Sequence, residues 1–330
     1  MAGYNDFLEA VTEEIKKVLD VSKVEDDKFR FTGIDVEKVG DKIEISMNDY
    51  AASLEDVEVR DDKSSEVLTR EEMKLFRKYV GKLNWLAANT RPDMAVYALD
   101  LAKKQKQATL KDLRSINRIL KKVREKESKV VFRRIGDKKD LCVFGVSDAS
   151  YHQEENAVAG EIILLGNRKT MAASPMYWKS GVIRKVCLSP KAAETRSLVR
   201  LVDDSLCLKR QLETMLGVRM ETRMFTDSRP LLESLGSSGQ IEEKALRQSL
   251  ASLKQNLEDK EVNSFSWIAG TEIVADVFTK QGSQREELEE IVKKNVFKHA
   301  KNEDNMVYLE EGEIKIKNLR TKAERNAEKR

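Results

Sequence analysis

The stretch that decides the fold is Leu141–Ser150, LCVFGVSDAS. Apolar residues and one glycine run up to Ser147, and Asp148 is then followed by small residues. A short apolar run of this kind reads as a buried strand, here over 141–147, that stops on a carboxylate. Working outward, two more strands follow with short turns, at 157–166 and 174–180, as an antiparallel meander. A long helix is expected over 190–216, with Ser189 as N-cap, Pro190 at the first helical position and Gly217 at the end. A fourth strand (220–226) leads into Asp227 and a helix at about 229–235. A glycine-serine turn (236–239), a helix (240–258), a fifth strand (262–268) and a short helix from Thr271 complete the region. This order predicts an α/β fold: a mixed five-stranded sheet with helices on its faces.

The same order places four acids where one sheet topology needs them. If the first strand and the parallel fourth lie side by side, their C-terminal ends bring Asp148 and Asp227 together. Glu194 and Asp276, each about one turn into its helix, can point at the same edge. Four such acids repel one another, and the cluster is stable only with cations. Oxygen-only ligation suits Mg²⁺ or Mn²⁺ rather than zinc. Two such ions can activate a water and stabilise the leaving oxygen in phosphodiester cleavage. Each acid also has an ordinary role open to it. Asp148 fits a turn, Glu194 an exposed helix face, Asp227 an N-cap, and Asp276 an ion pair with Lys280 at i+4.

Upstream, residues 4–20 carry Phe7, Leu8, Val11, Ile15, Val18 and Leu19 at helical spacing. Residues 29–47 alternate and break at Gly40-Asp41, a hairpin signal. A short helix (48–55) and a polar loop (55–66) lead to Thr69, which with Glu72 forms a capping box for a helix over 70–88. Pro92 interrupts the pattern, a second helix runs to about Gln105, and a third spans 109–125. Lys103, Lys104, Lys111, Arg114, Arg118, Lys121 and Lys122 make these helices basic: a candidate phosphate-contacting surface, or simply a solvated face. The change of pattern across 126–140 divides the chain. The expected parts are a hairpin region (1–67), a helical region (68–135), the α/β domain (141–283) and a charged tail (284–330). Trp85, Trp178 and Trp267 sit in apolar-patterned elements and are expected in the core.

Composition supports two domains in 330 residues and sets the function classes. The net charge is only +3, from 60 basic and 57 acidic residues, so local segregation matters more than the total. Three scattered cysteines, with no CxxC pair, indicate neither a disulfide framework nor a zinc site. Two histidines, His152 and His299, leave little material for histidine-based catalysis. The N-terminus does not read as a signal peptide, and no window offers the roughly 18 apolar residues of a membrane span. A cytoplasmic or nuclear protein is expected, not a secreted or membrane one.

Several short motifs add to this reading. Thr90-Arg91-Pro92-Asp93, Ser147-Asp148-Ala149, Trp178-Lys179-Ser180, Leu188-Ser189 with Ala193-Glu194, and Ala275-Asp276-Val277-Phe278-Thr279-Lys280 occur in that order. Together they resemble the C-terminal part of the Pol polyprotein of copia-type retrotransposons over about residues 29–282. Phe31-Thr32-Gly33-Ile34-Asp35 with its hairpin is similar to that family's primer grip and the start of its reverse transcriptase thumb. The resemblance implies a thumb and connection followed by a ribonuclease H domain. It implies Asp148, Glu194, Asp227 and Asp276 as catalytic and metal-binding residues, two Mg²⁺ or Mn²⁺ ions, and cleavage of RNA in RNA–DNA hybrids. The chain departs from the family pattern at Thr195, at Lys191-Ala192 and in the FTDSRPLL run around Asp227, and no histidine lies between Asp227 and Asp276. No aromatic-x-Asp-Asp hairpin is expected. Asp203-Asp204 falls mid-helix, so polymerase activity by this chain alone is not expected. The alternative is a weakened or inactive retroelement remnant that only binds nucleic acid or a protein partner, such as the missing polymerase part. An integrase-type transposase fits less well, because Glu194 precedes the third acid.

Overall fold

A computed structural model describes residues 5–21, 25–152, 156–237, 244–283, 286–301 and 304–319. After helix α1 (Asn5–Val18), strands β1 (Lys28–Phe31), β2 (Ile34–Val39) and β3 (Lys42–Ser46) form an antiparallel meander. Gly40, at φ +62°, supplies the left-handed turn between β2 and β3. β4 (Lys129–Phe132) returns much later to complete this four-stranded sheet.

Between β3 and β4 lie α2 (Asn48–Ala52), α3 (Arg70–Asn89), α4 (Ala95–Lys103) and α5 (Leu110–Glu125). The capping box at α3 is present: Glu72 N–H donates to Thr69 Oγ1 at 3.3 Å, and Thr69 N–H to Glu72 Oε2 at 2.8 Å. Phe76, Val80, Leu83 and Leu86 from α3 meet Leu113, Ile116 and Leu120 from α5, all fully buried. Each such side chain contributes about 1.5–3 kcal/mol. Arg91 is itself buried at 2% exposure. It forks onto Asp93 at 2.9 and 3.0 Å and donates to the carbonyls of Val123 and Lys126 at 3.0 and 3.1 Å. The TRPD run thus closes the last turn of α5, whose carbonyls have no partner within the helix.

The second sheet has strand order β11-β10-β9-β8-β5-β6-β7. Its strands are β5 (Leu141–Ser150), β6 (Val158–Asn167), β7 (Ala173–Val182), β8 (Glu221–Thr226), β9 (Ser264–Trp267), β10 (Met306–Glu310) and β11 (Glu313–Lys317). β5 and β8 are parallel, as are β8 and β9; the remaining pairs are antiparallel. On one face lie α6 (Pro190–Leu216), α7 (Arg229–Gly236) and α8 (Arg247–Glu258). On the other lie a 3₁₀ turn (Val274–Phe278) and α9 (Glu286–Glu289), which continues as a π-turn (Glu290–Lys294). Phe144, Phe225 and Phe297 pack there, with ring centroids 5.3–6.1 Å apart.

The sheet is mixed and flanked by helices, as the sequence predicts, but it has seven strands rather than five. The region from 284, expected as a charged tail, carries a hairpin that lies along the outer edge of β9. Val307 and Leu309 of β10, with Ile314 and Ile316 of β11, alternate around Glu311-Gly312, at φ +53° and +84°. In β10 the aromatic Tyr308 between them blurs that period, and in β11 the charges Glu313, Lys315 and Lys317 read as part of a charged tail. β5 also runs past Asp148 to Ser150, because β6 pairs with it along its whole length. The helix expected from Thr271 is a single 3₁₀ turn. Positions 238–239 of the expected glycine-serine turn and the start of the helix expected from 240 lie outside the described residues, as does the basic run from 320. Trp85 is 44% exposed rather than in the core, while Trp178 and Trp267 are half-buried. No described helix is long and apolar enough to cross a membrane.

Specific contacts join the first sheet and its helices to the second sheet and its flanking segments. Trp178 Nε1 donates to the carbonyl of Ala87 at 2.8 Å, and Asn295 Nδ2 to that of Val131 at 2.6 Å. Gln281 Nε2 reaches Asp100 Oδ2 at 2.5 Å, and Lys126 pairs with Glu289.

Candidate metal centre

The parallel register of β5 and β8 places the first two acids. Val146 lies opposite Phe225, so Asp148 and Asp227 each sit two residues beyond the last paired rung. Asp148 stays in the sheet through β6, opposite Gly160. A Cβ on Gly160 would come within 2.8 Å of Ala275 O, Phe278 Cβ and Thr279 Cγ2. The bare backbone there lets the 3₁₀ segment settle against β6, and Thr279 Oγ1 then donates to Asp148 Oδ2. From the other face, α6 brings Glu194. Ala149 N–H donates to Glu194 Oε1 at 3.2 Å, and Ser197 Oγ to the carbonyl of Asp148 at 3.0 Å.

The result is three acids, Asp148, Glu194 and Asp227, each offering one oxygen within 4.8 Å of the others. Asp148 is 2% exposed, and Glu194 Oε2 is buried with no hydrogen-bond partner. Burial, and then Asp148 and Asp227, push Glu194 up to about 9. Burial is also the main cause that raises Asp148 to about 7, with the Thr279 hydrogen bond and Lys280 opposing it and Asp276 and Asp227 adding to it. Asp227 is raised by burial, against the pull of Lys280. A buried, partnerless carboxylate oxygen beside two more carboxylates fits a hard divalent cation held by oxygen alone.

The fourth expected acid, Asp276, stands apart from this set. Its Oδ1 accepts from Lys280 Nζ at 2.6 Å, the i+4 pair that spacing allowed. Lys280 also lies 3.8 Å from Asp148 Oδ2. Lys280 and Thr279 were within the motif but were not singled out as site residues. Asp227 is followed by Arg229, whose guanidinium stacks 3.9 Å above the Trp267 ring, and Trp267 Nε1 donates to the carbonyl of Asp227 at 3.0 Å.

The seven basic residues divide by position. Lys103 and Lys104 line a cleft of about 1190 Å³ that also takes in Ala149, His152, Thr279 and Lys280. Lys104, Arg118 and Lys122 line an adjoining cavity of about 360 Å³. Lys104 pairs with Asp112 at 2.6 Å, and Lys103 lies 3.6 Å from Asp100. Lys121 lies 3.7 Å from Glu125, Lys122 is over the Tyr97 ring, and Arg118 donates to Ser115. Arg114 is half-buried and held against the 60–64 loop, donating to Ser64 Oγ at 2.7 Å and to the carbonyls of Arg60 and Asp62. Lys111 is exposed at the start of α5.

No family model matches the sequence, and no curated protein sequence matches it. Among solved structures, the chain is similar to LC11-RNase H1 in complex with an RNA/DNA hybrid, at 16% identity and TM-score 0.33, over 43% of this chain and 96% of that one. It is similar to RNase H1 from the halophilic archaeon Halobacterium salinarum, at 13% identity and TM-score 0.32, over 45% of this chain and 98% of that one. It is also similar to a foamy viral protease-reverse transcriptase in complex with an RNA/DNA hybrid, at 13% identity and TM-score 0.45. That match spans 82% of this chain and 34% of the longer viral protein.

Proposed function

We propose that the chain is a retrotransposon-derived, RNase H-like endonuclease that hydrolyses the RNA strand of RNA–DNA hybrids. The observation that carries this reading is the set Asp148, Glu194 and Asp227, each offering one oxygen within 4.8 Å of the others, with Glu194 Oε2 buried and without a hydrogen-bond partner. These three acids, with Asp276 beside them, would hold two Mg²⁺ or Mn²⁺ ions. When bound, such ions supply activation of a water and stabilisation of the leaving oxygen.

The chain's own residues do the rest. Thr279 and Ser197 fix Asp148 through its carboxylate and its carbonyl. Lys103 and Lys104 give the cleft a positive wall that attracts a phosphate backbone by charge rather than by sequence. The Gln281–Asp100 bond holds α4 at a set distance from the acids. Arg229, stacked on Trp267, whose Nε1 donates to the carbonyl of Asp227, presents a further cation beside that acid.

The test is incubation with a labelled RNA–DNA hybrid in Mg²⁺, Mn²⁺ or EDTA. RNA fragments are expected with either metal and none with EDTA. Asp148→Asn is expected to lose cleavage and keep hybrid binding; unchanged cleavage by that variant would overturn the assignment. Hybrid binding without cleavage in any metal would point instead to a non-catalytic nucleic-acid-binding remnant.

A further inference from the structure

The acids do not form one equivalent set. Asp148, Glu194 and Asp227 converge, each offering one oxygen within 4.8 Å of the others. Asp276 is absent from that convergence because its carboxylate faces Lys280. The Lys280 ammonium lies 2.6 Å from Asp276 and 3.8 Å from Asp148. It therefore stands in the space an ion would have to enter to bridge Asp148 and Asp276, where Mg²⁺–oxygen distances are about 2.0–2.1 Å.

Lys280 has somewhere else to go. Its side chain is 51% exposed, and it lines the open cleft beside Lys103 and Lys104. Its backbone is fixed between Thr279, bonded to Asp148, and Gln281, bonded to Asp100. The position is thus anchored while the four-carbon arm is free to reorient.

We propose that Lys280 is the resident counter-cation of this centre. It holds Asp276 away from the ligand set, so divalent ions load in two unequal steps, and the weaker step requires the ammonium to leave the acids and turn into the cleft. The inference rests on the metal-binding reading of the centre, and the experiment separates the two.

The measurement is isothermal titration calorimetry of the full chain with Mn²⁺ alone, without nucleic acid. The wild type is expected to show one tighter and one weaker binding step. Lys280→Met removes the competing charge but keeps the apolar stem. It is expected to tighten the weaker step by about tenfold, equivalent to about 1.4 kcal/mol, and to leave the tighter step within about threefold. Adding Asp276→Asn to Lys280→Met should abolish the gain, and Lys280→Arg should behave as the wild type. Circular dichroism confirms that each variant is folded. If Mn²⁺ binding depends on Asp148 but Lys280→Met changes neither step, or both alike, the inference about Lys280 is wrong and the metal-centre reading survives. If Asp148→Asn leaves Mn²⁺ binding unchanged, both fall.

Discussion

Two buried acids lie one rung apart in the same sheet and meet opposite circumstances. Glu161 on β6 is opposite Ser147, and Asp148 on β5 is opposite Gly160. Glu161 is 0% exposed, and α6 sends Arg200 down to it at 2.9 Å, which offsets burial only in part, since burial still raises the Glu161 carboxyl to about 7. A Cβ on Gly181 would meet the Arg200 guanidinium at 2.7 Å, so β7 leaves room for it. Asp148 is buried just as deeply, but its neighbours are mainly other acids, and Lys280 touches it only at 3.8 Å. An acid given its own internal cation is part of the architecture. Acids collected with too few cations are unstable on their own, and that shortage is what a metal ion would relieve.

The sharpest way to break this comparison is to neutralise each acid in turn. Asp148→Asn should cut hybrid cleavage on the order of 10³-fold or more, about 4 kcal/mol in the barrier, while raising the melting temperature in EDTA at about pH 8, where the Asp148 carboxylate is charged. Glu161→Gln should do the reverse, lowering the melting temperature and leaving cleavage by the folded fraction intact. Parallel assays of activity and thermal unfolding check both; a shared direction for the two variants would erase the distinction.

Next in size is the arginine. Arg200→Met leaves Glu161 buried without its partner and should cost about 3 kcal/mol, near 10 °C at about 2–4 °C per kcal/mol for a domain of this size. The double variant Arg200→Met with Glu161→Met should recover most of that loss. Denaturant midpoints measure it, and a single variant as stable as the wild type would show that the pair does not anchor α6.

A smaller effect is expected from pH. The folded chain keeps protons on Asp148 to about pH 7 and on Glu194 to about pH 9. An unfolded chain loses them near pH 4. Between those limits the native state binds more protons, so stability in EDTA should fall as pH rises from about 5 to 9. Saturating Mg²⁺ should flatten that slope, and Asp148→Asn should make its lower part shallower without removing it, because burial also raises Glu161 and Glu287 to about 7. Thermal unfolding across this range tests it; a stability that rises with pH in EDTA would contradict the cluster. Smallest of all, Thr279→Val removes one hydrogen bond to Asp148 and should cost about 1 kcal/mol, with cleavage reduced by less than tenfold in the same assay.

How much of this the sequence disclosed follows from the range of each interaction. Asp148 and Asp227 were legible because parallel pairing of two apolar strands puts their ends at one level. Asp276 and Lys280 were legible as a local i+4 pair. The Glu161–Arg200 pair was not: it joins a strand to a helix 39 residues later, and nothing in either segment marks the partner. Arg91 was visible only as part of TRPD. Its carbonyl partners, Val123 and Lys126, depend on how α5 docks. The β10–β11 hairpin was legible in principle, since an apolar run (Met306–Leu309) and an alternating strand (Glu313–Lys317) flank Glu311-Gly312, but the charges of the second strand made it read as tail.

That hairpin has a consequence for how the chain comes off a ribosome. Until residues 306–308 emerge, β9 has β8 on one side and nothing on the other, and Phe265 lacks the Val307 that later sits opposite it. The sheet bearing the acids is therefore sealed last, from its far end. A fragment cut at 283 to isolate the acid-bearing part would present the Ser264–Trp267 edge as a template for another chain.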